Sequence, residues 1–260
     1  MKLPFNCHNM INCNVVLIRI YLVIIMSLFR SNTLLCTFYS VLLTALSSSF
    51  VYAEPALDPG DPEWVLQKDE DGIQVFFKDV EGSDIQAFMG TMVMSASLSS
   101  IVKVMKTDAT CVDWVQGCTS ARGIQGSTFS EAHQYGINDL PWPADDRDYV
   151  NKVSTVDNSE TGDVIISLQA VKGLVPLSDN VRLTKMNIKY YLSPISNNKT
   201  EMTWVQHTEP GGNIPDWLVN MLLIDIPFYS LTRLEAVAQK TEFSSVEFLY
   251  GEDEHIVGFK

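Results

Sequence analysis

Between residues 73 and 208 apolar side chains return at every second position, in one segment after another. This pattern constrains the chain more than any other feature, because period two puts alternate residues on opposite faces of a strand. Ile73, Val75 and Phe77 alternate with polar Gln74 and Lys78. Met186, Ile188, Tyr190 and Leu192 alternate with Asn187, Lys189 and Tyr191. Strands are expected at 73–78, 86–96, 119–126, 128–137, 147–157, 163–171, 181–193 and 200–208. Residues 86–96 carry little charge, as a strand buried on both faces would. Short polar links at 81–84, 158–163 and 196–199 suit hairpins, so the sheet should be an antiparallel meander.

Helical spacing appears early and then at the end. Ser97 can cap a helix whose Leu98, Ile101, Val102 and Met105 form one stripe. A short helix is expected at Val112–Gln116. Gly211-Gly212-Asn213 breaks the last strand, and Pro215 suits a helix's first turn. Over 216–240, Trp217, Met221, Ile224, Phe228 and Leu231 fall near one face, with Pro227 inside as an expected kink. The fold class is therefore α+β: a curved antiparallel sheet of about eight or nine strands with a long C-terminal helix. A helix laid across a curled sheet encloses a space that side chains fill or a ligand occupies.

Charge divides the chain. Lys plus Arg is 18 and Asp plus Glu is 31, a net charge of −13 without a basic run. That sets nucleic acid aside and opposes constitutive docking on anionic lipid. Residues 1–53 hold Lys2, Arg19, Arg30 and no acid. Arg30, the apolar stretch 33–50 and the small residues of Val51-Tyr52-Ala53 have the order of a secretory signal, with a cut expected after Ala53. The other reading is a retained membrane anchor at Val15–Leu28, which Arg19 interrupts. The expected organisation is a leader at 1–53, a proline-bearing linker at 54–62, a folded domain at 63–240 and a tail at 241–260. The destination is then the periplasm or the exterior.

Cys7, Cys13 and Cys36 would leave with the leader, and Cys111 and Cys118 would remain. In an oxidising compartment that pair is a disulfide candidate. Seven residues of unbroken helix would separate the Cα atoms by about 10.5 Å, too far for a bridge. The helix must then stop before Cys118, and Gly117 is a natural stop. The competing reading is two buried thiols. Two cysteines alone make no metal site.

No GxSxG, HExxH, P-loop or GxGxxG motif occurs. No catalytic residue, cofactor or metal is assigned. His133, His207 and His255 have no second ligand at metal spacing, and a lone strand histidine is more often a wall residue than a catalyst. Arg147 follows Pro141-Trp142-Pro143 and begins a strand that reads as buried. Burying a guanidinium requires partners, and Glu131, Asp139 and Asp148 are the near candidates. The plainer reading is a surface turn with solvated charges.

The segments PWP…DRDYV, GGNIPDWLVN and DIPFYSL, in this order of elements, resemble the START family of lipid-transfer domains over about residues 62–240. The similarity is to its secreted bacterial members. The resemblance implies a helix-grip fold, in which a U-shaped sheet wraps the C-terminal helix around a hydrophobic tunnel for one lipid. By the same resemblance Arg147 matches the arginine of the family's RD element, Asp148 the acid beside it, and 215–240 the lid helix. Arg147, Glu131, His133, Tyr135, Trp142, Met202, Met221 and Phe228 are the expected ligand-binding residues. Met89, Met94, Met186, Met202 and Met221 suit an adaptable tunnel wall, and suit core filling equally. The expected function is a non-enzymatic lipid carrier or sensor. It would bind a lipid or sterol-like molecule as a monomer, with transient membrane contact. Two alternatives stand beside it. One is a cyclase-like enzyme using Arg147, Tyr135 and His133; the other is an interaction module whose cavity its own side chains fill.

Overall fold

The computed structural model describes residues 57–260. The expected leader, its cleavage point and Cys7, Cys13 and Cys36 lie outside the described residues. Ten strands form one sheet and two more form a hairpin. The ten are β1 (Val65–Glu70), β2 (Ile73–Lys78), β3 (Ala87–Met94), β4 (Cys118–Ile124), β5 (Glu131–Asn138), β6 (Arg147–Asp157), β7 (Val164–Ala170), β8 (Val181–Leu183), β9 (Met186–Ser196) and β10 (Lys199–Thr208). Their order is β1-β2-β3-β10-β9-β7-β6-β5-β4, and β8 pairs in parallel with β6. Every other pairing in the sheet is antiparallel. The first hairpin therefore closes against the last strand, with Trp204 opposite Gly90.

Two details differ from the periodic reading. The expected strand at 181–193 is divided, because Val181–Leu183 pairs with Arg147–Tyr149 while Met186–Ser196 runs between β7 and β10. Val65–Glu70 forms an additional edge strand; its side chains are mostly exposed, so it carries no apolar alternation to read.

The apolar phase of each strand explains the layering. β2 alternates buried and half-buried residues along its whole length. β3 is buried at four successive positions. Phe88 joins the main core, whereas Ala87 and Met89 join a second cluster with Leu57, Val80 and Val205. That is why 86–96 reads as apolar on both faces.

Helix α1 (Leu98–Lys106) starts where Ser97 Oγ accepts from the Ser100 N–H at 3.2 Å, and it buries Leu98, Ile101 and Val102. A 3-10 turn at Asp108–Thr110 leads into α2 (Cys111–Trp114). Gly117 then takes φ +82°, a left-handed backbone that ends the helical path. Cys111 and Cys118 are joined by a disulfide with Cα atoms 5.9 Å apart.

Helix α3 (Asp216–Ala238) lies against the sheet. Pro227 sits inside it, and a Cβ placed on Gly90 would come within 2.8 Å of Pro227 Cβ and 3.2 Å of Leu231 Cδ1. The bare glycine lets helix and sheet approach this closely. Residues 241–260 pack rather than trail. Helix α4 (Thr241–Ser244) is followed by β11 (Phe248–Tyr250) and β12 (Ile256–Phe259), and Phe243, Phe248 and Ile256 enter the main core. Phe259 meets Phe129 edge-to-face at 5.5 Å. No described helix is long and apolar enough to cross a membrane.

Candidate functional site: a divided cavity inside the sheet

The curved sheet and the helices leave a cavity of about 440 Å³. Its sheet wall is one phase of the period-two pattern: Tyr149, Asn151 and Val153 on β6, Ile166 and Leu168 on β7, Met186, Ile188 and Tyr190 on β9, and Trp204 and Gln206 on β10. Cys111 and Trp114 of α2, Ile226 of α3, the end of α1 and residues 123–128 and 132–134 also line it, so the disulfide fixes part of the lining. A second cavity of about 100 Å³ is lined by Arg147, Leu183, Phe88 and residues of the first turns of α3. Asn138, Met186, Gln206 and Ile226 line both cavities, so the two share a wall.

An aromatic cluster forms the firm side. Trp204 lies 5.1 Å from Tyr190, 5.2 Å from Phe88 and 6.3 Å from Trp114, ring centre to ring centre. Tyr149 stacks into the space left by Gly136, where a Cβ would stand 2.3 Å from its ring. Burial pushes the Tyr149 phenol up to about 12, and the nearby Asp108 charge adds to this. Burial raises Tyr190 further, with Tyr149 contributing. Both phenols are therefore neutral at ordinary pH.

Lys106 lines the larger cavity and is held by Phe129 O at 2.7 Å and Thr155 Oγ1 at 3.0 Å. Burial pulls its pKa below the ordinary lysine value, against the opposing pull of Asp108. Arg147 is 2% exposed. Its Nε donates to Pro210 O at 3.1 Å, its Nη2 to Gly211 O at 2.8 Å, and its Nη1 to Asp145 O. Burial lowers its pKa, which Asp145 and Asp146 oppose.

The expected partners of Arg147 are thus corrected: its three hydrogen bonds go to backbone carbonyls. Asp148, the next residue, points to the opposite face of β6, where it meets Arg182 at 2.6 Å, Ser178 at 2.7 Å and Tyr135 at 3.1 Å. Glu131 pairs with Lys152 at 2.7 Å on an exposed strand end. The Asp139 N–H donates to Gly117 O at 2.8 Å, which secures the turn after α2.

Of the expected ligand-binding residues, His133 lines the larger cavity and Arg147 the smaller. The others line neither. Tyr135 belongs to the Asp148 cluster, and Glu131 to the Lys152 ion pair. Trp142 is 88% exposed on the β5–β6 loop. Met202 is buried in the core, and the ring of Phe228, also in the core, is covered by Lys68. Met221 is half-buried on α3. A methionine count cannot separate core from wall, because both use the same apolar phase. Gln116, Asn138, Asn151 and Trp204 line the larger cavity without having been expected there. For Asn151 a signal exists: it occupies the inward phase of β6, between Tyr149 and Val153, where a polar side chain is out of place. Among the described residues no group of three or more His, Cys, Asp or Glu is placed to hold a metal ion.

Comparison with known proteins agrees with this architecture. The START domain family profile matches residues 57–241. An uncharacterized protein of Pseudomonas aeruginosa is 32% identical over 179 residues, which span 68% of this chain and 88% of the relative. The crystal structure of a STAR-related lipid transfer protein fragment from Xanthomonas axonopodis superimposes with a TM-score of 0.63 at 28% identity, covering 68% of this chain and 99% of that one. The human StAR-related lipid transfer protein 5 superimposes with a TM-score of 0.62 at 16% identity, over 78% of this chain and 93% of that one, which speaks for the fold alone.

Proposed function

Since this chain belongs to the START domain family, we propose that it binds one lipid or sterol-like molecule in the sheet–helix cavity and carries or senses it without turnover. The observation that carries this reading is the cavity itself, about 440 Å³ with apolar and aromatic side chains interspersed with polar ones, within the size range of small-molecule sites. The Xanthomonas relative is a STAR-related lipid transfer protein. A cyclase-like reading needs Arg147, Tyr135 and His133 around one point. Arg147 and His133 line different cavities and Tyr135 lines neither, which favours the carrier.

The disulfide supports export to an oxidising compartment, the periplasm or the exterior, as does the signal-like order of the leader. Trp142, Leu177 and Trp217 are exposed at 88%, 79% and 58%. Arg182 holds the loop of Leu177 through Pro176 O, and Arg147 holds Pro210 and Gly211 ahead of Trp217. Such apolar tips support brief contact with a membrane during exchange, without a basic patch to keep the protein there.

Native mass spectrometry of protein purified from its own host, with lipid extraction of the same sample, tests the proposal. A stoichiometric apolar adduct is expected. A bare polypeptide mass that persists after incubation with mixed membrane lipids and sterols would overturn it in favour of an interaction module.

A further inference from the structure

The larger cavity is lined by groups whose hydrogen bonds are incomplete. Among the described residues, five buried side-chain polar atoms have no partner in the protein: Gln116 Oε1, Asn138 Oδ1, Asn151 Oδ1, Asn187 Oδ1 and Trp204 Nε1. All of these residues except Asn187 line that one cavity. Asn151 and Trp204 are each 1% exposed, so bulk water does not serve them. The Asn151 amide has only a thioether to meet, Met186 Sδ at 3.4 Å, which is a weak acceptor. Leaving polar groups unpaired in an apolar wall is costly, and their concentration around one space points to something that enters it.

Their chemistry restricts what that is. Trp204 only donates, whereas an amide offers both an acceptor and donors. Exchanging the oxygen and nitrogen of an amide turns an unpaired acceptor into an unpaired donor and leaves the deficit in place. A hydroxyl satisfies either, because it donates and accepts. A carboxylate or phosphate only accepts, so it leaves an unpaired amide oxygen unserved, and Lys106 and Arg147 already donate to Phe129 O and Thr155 Oγ1 and to backbone carbonyls. Asp108 also lines the larger cavity and repels an anion. Asn151 touches Met186, which lines both cavities, so one unpaired amide lies where the cavities adjoin; Asn138 stands apart from it, four residues along β5 from Gln134, the residue opposite Asn151.

We propose that the occupant is a neutral, apolar molecule bearing a hydroxyl group. Asn151 holds the hydroxyl beside Met186, where the two cavities adjoin, and Asn138, Trp204 and Gln116 serve further polar atoms along the wall. This inference rests on the lipid-cavity reading and narrows it from lipids in general to neutral alcohols.

The test is equilibrium binding of radiolabelled 1-hexadecanol, hexadecane and hexadecanoate to the full-length chain. Hexadecanol is expected to bind at least about tenfold more tightly than either of the others. Asn151→Leu should reduce the alcohol-to-alkane affinity ratio at least about fivefold. Retained hexadecane binding shows that a variant is folded, and the wild-type ratio needs no variant. Equal affinities for alcohol and alkane, as when water alone serves the amides, would overturn the inference and leave the lipid cavity standing. So would tighter binding of hexadecanoate. Binding of none of the three would count against the lipid cavity itself.

Discussion

Arg182 grips Asp148 across 34 residues of sequence: Nε donates to Oδ1 at 2.6 Å and Nη2 to Oδ2 at 2.9 Å. The Asp148 side chain is fully buried and that of Arg182 is 10% exposed. Arg182 also donates to Val175 O and Pro176 O, so one guanidinium ties β6, β8 and the preceding loop together. Removing one partner of a buried pair strands the other charge. Arg182→Ala should cost about 3–5 kcal/mol in urea unfolding, and the double change Asp148→Leu with Arg182→Met should recover most of that loss. A double variant no better than the single one would contradict this account.

The same contact sets an acid limb. Burial alone would raise the Asp148 carboxyl, but its bonds from Arg182, Ser178 and Tyr135 outweigh that and hold it below the usual aspartate value. A depressed carboxylate contributes stability that is present above about pH 3.9, its unfolded value, and is lost as pH falls through the folded value. The stability difference between wild type and Asp148→Asn should therefore narrow on acidification below that pH. A constant difference across the same range would show that the charge is not the source.

The Cys111–Cys118 bridge closes a short loop, with a sequence separation of 7. Loop-closure entropy for that size corresponds to about 2–3 kcal/mol of stabilisation. Paired Cys→Ser changes at both positions should lower the unfolding free energy by that amount, read in denaturant with and without reductant. Reductant should then have no effect on the variant.

Gly90 admits Pro227 and Leu231 to the sheet surface. Pro227 has little freedom to yield, so Gly90→Ala should force α3 outward at a cost of about 1–3 kcal/mol. Faster hydrogen exchange across residues 223–231 is the expected signature. Exchange at the wild-type rate would mean that the helix accommodates the methyl group without moving.

Arg147 holds the backbone that precedes α3 through Pro210 O and Gly211 O. Arg147→Met should leave those carbonyls unpaired and raise hydrogen exchange over 209–215 while the sheet stays protected. Arg147→Lys should fail in the same way, because an ammonium lacks the planar fork that reaches several carbonyls.

Much of the molecule is legible in the residues themselves. The alternation Ile73–Val75–Phe77 becomes the buried face of β2, and Ser97 caps α1 as its side chain predicts. The same alternation at Tyr149 and Val153 becomes a cavity wall. The wall's polar members were harder to see. Trp204 looks like any core aromatic until its Nε1 is found without a partner, and Gln116 follows a short helix with no periodic phase to mark it. The Phe243–Phe259 segment carries no clear period, yet its aromatic residues complete the core.

The sequence by itself determined most of the strands, the long C-terminal helix and the cap of α1, because each depends on sterics and hydrogen bonds among residues a few positions apart. Only the tertiary structure decided that β3 lies beside β10, that Arg147 binds carbonyls and that Asp148 takes Arg182. Those outcomes depend on groups that long chain crossings bring together. A buried charge takes whatever partner the fold supplies, wherever in the sequence that partner lies.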